Sequence, residues 1–272
     1  MFLSNDKMDV QYKRQDGVPK FKCTEYYEKS RDYVVLIPII NEGIRIQKEL
    51  SRAKKYSISE YADIVICDGG STDGCTKEEK LRELGVNTLL VKQDTGKQGA
   101  QFRMGIWWAL QRGYLGIITI DGNNKDSIED VPRFIEKLEN GYDLVQGSRF
   151  LKGGKAIRTP ISRLVAVKFV HAPIISLAAH RRFTDTTNAY RGYSSKYLMD
   201  ERVQPLRDVF MTYELLAYLS VRASQIGMKS CEIPVKRVYP GKGKTPTKIS
   251  FIKGNYELLK ILVRAVRGIY NP

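Results

Sequence analysis

Three short aliphatic and β-branched runs in this sequence each break off into a polar loop that carries a carboxylate. Ile117-Ile118-Thr119-Ile120 gives way to Asp121-Gly122-Asn123-Asn124-Lys125-Asp126. Asp63-Ile64-Val65-Ile66-Cys67 gives way to Asp68-Gly69-Gly70-Ser71-Thr72-Asp73-Gly74, and Tyr33-Val34-Val35-Leu36-Ile37-Pro38 to Ile39-Ile40-Asn41-Glu42-Gly43. Carboxylates in such loops accept hydrogen bonds from ligand N–H and hydroxyl groups or bind a hard cation, and glycine lets the backbone approach closely. One loop taken alone is equally well explained as a tight strand-to-helix turn in which Asp73 or Asp121 caps the next helix. Repetition of the same ending favours a shared site for an anionic, phosphate-bearing or metal-assisted ligand.

The elements that must position these loops follow from periodicity. Unbroken apolar runs suit strands buried on both faces, and Pro38 cannot continue a ladder. Helical spacing resumes at Ile44, Ile46 and Leu50, and again at Val131, Phe134, Ile135 and Leu138. A third strand, Asn87 to Val91, leads to Lys97-Gln98-Gly99-Ala100 and a helix through Met104, Trp107, Ala109 and Leu110, where small residues let the helix start close to a ligand. Trp107 and Trp108 are read as core. A further strand, Tyr142 to Val145, closes at Gln146-Gly147-Ser148-Arg149. Strand and helix thus alternate from residue 33 to 147, the βαβ rhythm of a parallel α/β sheet whose carboxyl edge holds the ligand.

Length and composition bound the rest. With 272 residues the chain can bury a sizeable core and is most simply one domain with elaborations. Residues 1–31 are polar and weakly periodic, a leader or a packed edge. Four dispersed cysteines without a C-x-x-C pair and two histidines argue against a disulfide framework or a zinc site, and make a reduced cytosolic setting the default. The net charge of +15 points to an anionic partner: nucleic acid, a membrane surface or a phosphorylated substrate. The apolar helix from Ser162 to Leu177 carries Pro173 as a break and reads as packed or interfacial, too interrupted to span a bilayer. A helix through Leu215, Leu216, Leu219 and Val221 and a strand from Cys231 to Val235 follow. The last helix, residues 251–272, is amphipathic and basic, fit to rest on anionic lipid or to dock on the sheet.

Pro38-Ile39-Ile40-Asn41-Glu42, Asp68 to Gly74, Asp121-Gly122-Asn123 and Gly147-Ser148-Arg149 together resemble the ordered motifs of family 2 glycosyltransferases with the GT-A fold, most closely the dolichol-phosphate mannosyltransferase or polyprenyl-phosphate branch. The resemblance covers residues 32–250 and implies a Rossmann-like, mostly parallel sheet flanked by helices, with an acceptor-side C-terminal extension. It implies an inverting, nucleotide-sugar-dependent hexosyltransferase of polysaccharide or glycolipid biosynthesis. Pro38, Ile40, Glu42, Asp68, Gly70, Lys97, Gly99, Gly122, Asn123 and Lys125 would then face a UDP- or GDP-sugar. Asp121 and Asn123 would hold Mg²⁺ or Mn²⁺. Arg149, with Arg191 in Asp185-Thr186-Thr187-Asn188-Ala189-Tyr190-Arg191 and Arg237 and Lys244 in the basic segment before the last helix, would face phosphate. Glu214 matches an acidic position of the family and is the candidate base if the acceptor is a hydroxyl; an acceptor phosphate is already a nucleophile and needs none.

This chain departs from the pattern at the metal. An Asp-x-Asp has become Asp121-Gly122-Asn123, and Lys125 stands where another ligand is expected. An amide oxygen binds a hard cation without adding charge, and a lysine repels one. The expectation is a weakened dependence on metal, with Lys125 supporting the diphosphate and Asp126 as an alternative ligand. Gly241-Lys242-Gly243-Lys244-Thr245 lacks the first glycine of a P-loop, and Pro246 would disrupt a helix starting there. A cationic loop over a diphosphate fits better than a P-loop. Two other classes remain: a sugar-phosphate nucleotidylyltransferase and a non-catalytic basic nucleotide- or nucleic-acid-binding protein. The chain shows no Arg-containing glycine loop after its first strand and no aromatic-interleaved basic stretch, so nucleic acid is not the expected partner. The expected setting is cytoplasmic, peripheral at the inner face of the membrane, with a lipid-linked or envelope-glycan acceptor.

Overall fold

The structure, a computed structural model, describes residues 16–241 and 251–272, with the backbone alone at 251–255. Its strands are β1 (Phe21–Glu25), β2 (Tyr33–Ile39), β3 (Asp63–Asp68), β4 (Thr88–Lys92), β5 (Gly116–Thr119), β6 (Leu144–Ser148), β7 (Lys155–Ile157), β8 (Arg191–Ser194), β9 (Ser230–Pro234) and β10 (Lys236–Val238). Eight of them form one sheet in the order β1-β4-β3-β2-β5-β8-β6-β9, and β7 pairs with β10 beside it. The helices are α1 (Ile44–Lys55), α2 (Glu78–Glu83), α3 (Gln98–Gln111), α4 (Val131–Glu139), α5 (Ile161–Ala166), α6 (Ala172–Ala178), α7 (Ser195–Met199), α8 (Glu214–Gln225) and α9 (Phe251–Val266).

The aliphatic runs become strands because both faces of the sheet are covered. Along β2, Val34 and Leu36 join a core with Phe102, Trp108, Leu219 and Leu262. Val35, Ile37 and Ile39 join another with Ile46, Leu50, Phe134 and Ile135. The two-residue period of a strand sends alternate side chains into the two layers, so neither face tolerates a polar residue. Pro38 stays in register with Cys67 of β3. Leu36 gives its carbonyl to Ile120 on the β5 side, and the β2–β5 ladder ends at Leu36 and Thr119. Pro38 also faces that side, so its missing N–H falls just past the end of the ladder.

The centre, β4-β3-β2-β5, is parallel as the rhythm of the sequence requires. Beyond it β8 intervenes, antiparallel to both β5 and β6. Its sequence, Arg191-Gly192-Tyr193-Ser194, has no apolar run to announce it. Gly192 lies under Phe134 and Leu138 of α4. Residues 21–25, within the polar N-terminal segment, pair antiparallel with β4 at the sheet edge.

The apolar helix of the second half is continuous over Ile161–Ala178 and is long and apolar enough to cross a membrane by length and composition. Pro173 does not break it: a wider π turn at Val167–His171 precedes the proline, which falls in the first turn of the α-helical stretch Ala172–Ala178, where a missing N–H is tolerated. Only 17% of it is buried. Val167, Ala172 and Ile175 pack inward, while Phe169 is 74% and Leu177 77% exposed. The helix α9 docks on α8 and α6 through Ile261, Leu262 and Ala265 rather than on the sheet itself.

Candidate active site

At the carboxyl edge of the sheet, β2 and β3 end in loops that hold each other. Both oxygens of Asp68 accept from the Ser71 N–H at 3.0 Å, and the Ser71 hydroxyl donates to Oδ1 at 2.6 Å. Asn41 Oδ1 accepts from the Thr72 N–H at 2.8 Å and Asp73 Oδ2 from the Gly43 N–H at 2.9 Å. Gly70 has a φ of 97°, which a side chain would strain, and Glu42 pairs with Arg45 at 2.8 Å. Ile40 is exposed beside this loop pair. Asp68 is buried and shapes its own turn, the local role that a single loop allows.

Asp121, at the end of β5, is the meeting point. Gln98, the first residue of α3, donates to its Oδ1 at 2.8 Å, and Arg237 of β10 donates to Oδ2 at 3.0 Å. The other terminal nitrogen of Arg237 pairs with Asp126 and reaches Asn188 Oδ1 at 3.3 Å. Gly122 makes the approach possible: a Cβ there would lie 2.4 Å from the Ile39 side chain. Gly99 does the same for α3, since a Cβ would fall 2.5 Å from the Phe210 carbonyl. Lys97, exposed, stands at the N-cap of that helix.

Charge accumulates on one ring. Lys125 Nζ lies 5.1 Å from the centroid of Tyr239, and the Arg237 and Arg163 guanidinia lie 5.8 Å from it. Arg163 also donates to the Tyr239 hydroxyl at 2.9 Å. Burial alone pushes the Tyr239 phenol up, yet Arg237, Arg163 and Arg149 together draw it below its ordinary value. Burial likewise pushes Asp121 up, but Arg237, Lys125 and Gln98 outweigh it and hold the carboxyl below the usual range. The Lys125 ammonium is lowered by burial and by the neighbouring Arg237. Such a concentration of cations is a seat for a multiply charged anion.

Arg149 lies against Asp185, with Nε to Oδ2 at 2.6 Å and NH2 to Oδ1 at 2.8 Å, both side chains almost wholly buried. Glu232 of β9 in turn fixes Asp185 by accepting the N–H groups of Thr184 at 2.9 Å and Asp185 at 3.1 Å. Arg191, expected to face phosphate, is fully buried. It donates to the carbonyls of Asn188, Leu216 and Thr186 and to the Ser220 hydroxyl, tying the 186–188 loop to α8 instead. Glu214 begins α8 and accepts from the Thr212 N–H at 2.5 Å and hydroxyl at 2.7 Å, a local cap. Lys244 lies outside the described residues.

Sequence reading missed Gln98, Asn188, Arg163 and Tyr239, and also Glu49 and Arg52. The last two lie on α1 and clamp the loop after β5. Glu49 accepts the Asn124 N–H at 2.7 Å, and Arg52 reaches Asn124 Oδ1 at 3.1 Å and the Asp126 carbonyl at 3.0 Å. A signal existed: Glu49 falls on the same helical face as Ile46, Leu50 and Ala53, where a solvated acid has no place. Burial raises the Glu49 carboxyl well above its normal range. An acid raised on folding lends its stability below the unfolded-state value and loses it as pH climbs towards the folded one. Glu49→Gln keeps an acceptor for Asn124 and removes the buried charge. The variant is expected to melt a few degrees higher than the parent at pH 8, with a flatter dependence of Tm on pH. Parallel Tm curves for the two proteins from pH 5 to 9 would rule this out.

A sequence profile described as Glycosyl transferase family 2 matches residues 34–200. Polyprenol monophosphomannose synthase of Mycolicibacterium smegmatis is 26% identical over 234 residues, covering 84% of this chain and 84% of that protein. Undecaprenyl-phosphate mannosyltransferase of Micrococcus luteus is 27% identical over 205 residues, covering 74% of this chain and 82% of that protein. Among solved structures, glucosyl-3-phosphoglycerate synthase from Mycobacterium tuberculosis in complex with UDP superimposes with a TM-score of 0.58 at 14% identity, covering 86% of this chain and 80% of that one. The same neighbour has been solved with Mg²⁺ and UDP and with Mn²⁺, UDP and phosphoglyceric acid. The fold is therefore the GT-A arrangement. The donor set around Asp121 is a poor match to a divalent ion: among the described residues no group of three or more His, Cys, Asp or Glu side chains is placed to hold one. Buried oxygens without a hydrogen-bond partner remain on Asn123 and Asp126. The first is neutral, and the second belongs to a carboxylate already paired with Arg237.

Proposed function

The chain belongs to glycosyl transferase family 2 and is a glycosyltransferase, and from that premise we propose that it is an inverting enzyme moving a hexosyl group from a UDP- or GDP-sugar to a polyprenyl-phosphate-like acceptor at a membrane surface. The observation that carries this reading is the meeting of Asp121, Lys125, Arg163 and Arg237 around Tyr239 at the carboxyl edge of the sheet. In an inverting transfer the acceptor oxygen attacks the anomeric carbon from the face opposite the diphosphate. The bond to the diphosphate breaks and its electron pair leaves with that group, so the protein's task is to neutralise the departing charge. Lys125, Arg163 and Arg237 are the residues suited to it.

An acceptor phosphate arrives already ionised and requires no base. That agrees with Glu214, whose carboxylate is occupied by Thr212 at the start of α8. The long helix supports a lipid-linked acceptor: Ile161, Val165, Phe169 and Leu177 are exposed along it, with Arg163 and Lys168 interspersed and Arg181 and Arg182 just beyond. An apolar ridge set among cations suits the headgroup boundary of an anionic leaflet. The α9 helix, half docked and bearing Lys260 and Arg264 with Arg267 just past its end, offers a second such surface.

The test is to incubate the protein with labelled UDP- and GDP-hexoses and vesicles that contain polyprenyl phosphate. Label passing into the organic phase, dependent on the lipid phosphate, is the expected result. Label confined to water-soluble product would assign a different acceptor. Pyrophosphate release from nucleoside triphosphate and sugar 1-phosphate would point to a nucleotidylyltransferase.

A further inference from the structure

We propose that Arg237, with Lys125 beside it, is a resident cation that replaces a divalent metal at the donor diphosphate, so that nucleotide binding by this chain is independent of metal. The inference rests on the nucleotide-sugar reading and adds the source of the counter-charge. Two carboxylates converge on one guanidinium: Asp121 Oδ2 on NH2 at 3.0 Å, and Asp126 on NH1. A divalent ion bridging the same two acids would have to take Asp121 Oδ2 from Arg237, and it would find only Asp126 Oδ1 and the neutral Asn123 Oδ1 without partners. The remaining oxygen of Asp121 is taken by Gln98 at 2.8 Å.

The arginine is fixed by backbone as well as by charge. On one side β10 pairs with β7, Arg237 opposite Ala156. On the other, the Val238 N–H donates to the Lys125 carbonyl at 2.8 Å, and the Ser127 N–H to the Lys236 carbonyl at 3.1 Å. Arg237 is 6% exposed. Displacing it would leave a buried guanidinium without partners, which is costly.

Electrostatics point the same way. Asp121 and Asp126 carry two negative charges, which Arg237 and Lys125 already balance. A dication added there meets two cations and gains no fresh anion, since Asn123 is neutral. A diphosphate added there meets three cations, Arg237, Lys125 and Arg163, against the same two carboxylates, so Arg163 leaves one positive charge over for it. The neighbouring fold that takes Mn²⁺ or Mg²⁺ with UDP thus differs from this chain in where the positive charge originates.

Calorimetric titration with UDP and with GDP, each in EDTA and in millimolar Mn²⁺, tests the proposal, alongside the Mn²⁺ resonance signal of the nucleotide-free protein. The preferred nucleotide is expected to bind within about threefold of the same Kd in both buffers, and the free Mn²⁺ signal to remain undiminished. Arg237→Met should weaken binding in EDTA by about 10- to 100-fold, the loss of charge-assisted hydrogen bonds to phosphate. If that variant loses its circular dichroism, Lys125→Met serves, with an expected loss of about tenfold. Tightening of the parent protein by tenfold or more with Mn²⁺, or unchanged binding in folded variants, overturns the resident-cation proposal alone. Failure of both nucleotides to bind the folded parent in either buffer overturns the donor reading and this inference with it.

Discussion

Asp185→Ala is expected to lower the unfolding free energy by roughly 3–5 kcal/mol, the cost of leaving one member of a buried ion pair without the other. Arg149 has no solvent to turn to: its side chain is 2% exposed and that of Asp185 wholly enclosed. Asp185 also accepts the Arg149 N–H at 3.2 Å, and Thr187 takes a further guanidinium bond at 2.9 Å, so the loss reaches backbone and side chain together. Urea unfolding followed by circular dichroism measures it as a shift of midpoint at unchanged slope. A loss below about 1 kcal/mol would mean that water reaches Arg149 and relieves it. The double variant Arg149→Met, Asp185→Leu should recover part of the stability, because it removes both charges instead of stranding one, while the Arg149 N–H still loses its acceptor.

Asp121→Ala is expected to cut kcat/KM by about 10²- to 10³-fold, the usual loss when a preorganised electrostatic group is removed from a transfer site. Its oxygens orient Gln98 and Arg237, and its side chain is 20% exposed where Asp126 is sealed. Of the two acids it is therefore the one able to touch a ligand. Gln98→Ala, which leaves Asp121 and Arg237 paired, should cost closer to tenfold. Initial rates at saturating acceptor and varied donor read both. An Asp121→Ala enzyme within threefold of the parent would remove Asp121 from the machinery.

How much of this was legible depends on the kind of signal each residue leaves. Asp68 and Asp121 stand out because an acid after a run of β-branched residues marks a strand end: Asp68 closes β3, and Asp121 follows two residues after the end of β5 at the same edge. Gly99 and Gly122 could be suspected, but only the packed neighbours show what their missing side chains make room for. Gln98 and Asn188 were silent, since an amide in a helix or loop has many local uses and its partner lies far along the chain. Arg191 misled for the complementary reason: its motif suggested phosphate, whereas the space under α8 needed a many-pronged donor to satisfy four acceptors. The strand β8 escaped because four residues with one glycine carry no period, and its place between β5 and β6 is set by distant partners. The helix at 161–178 was expected to be interrupted, and only the structure shows Pro173 placed in the first turn after a π turn, where the helix carries it without a break.

The pairing of β7 with β10 ties together two things that chemistry would treat separately. The strand β7 runs into the exposed helix through Arg158, Thr159 and Pro160, and Arg158 holds the Tyr239 carbonyl at 2.8 Å. That helix would meet the lipid, and the paired strand bears the guanidinium. The exposed helix and the strand that bears the guanidinium are thus joined by three residues, one strand pairing and the Arg158–Tyr239 hydrogen bond, so a substitution at Arg158 touches both.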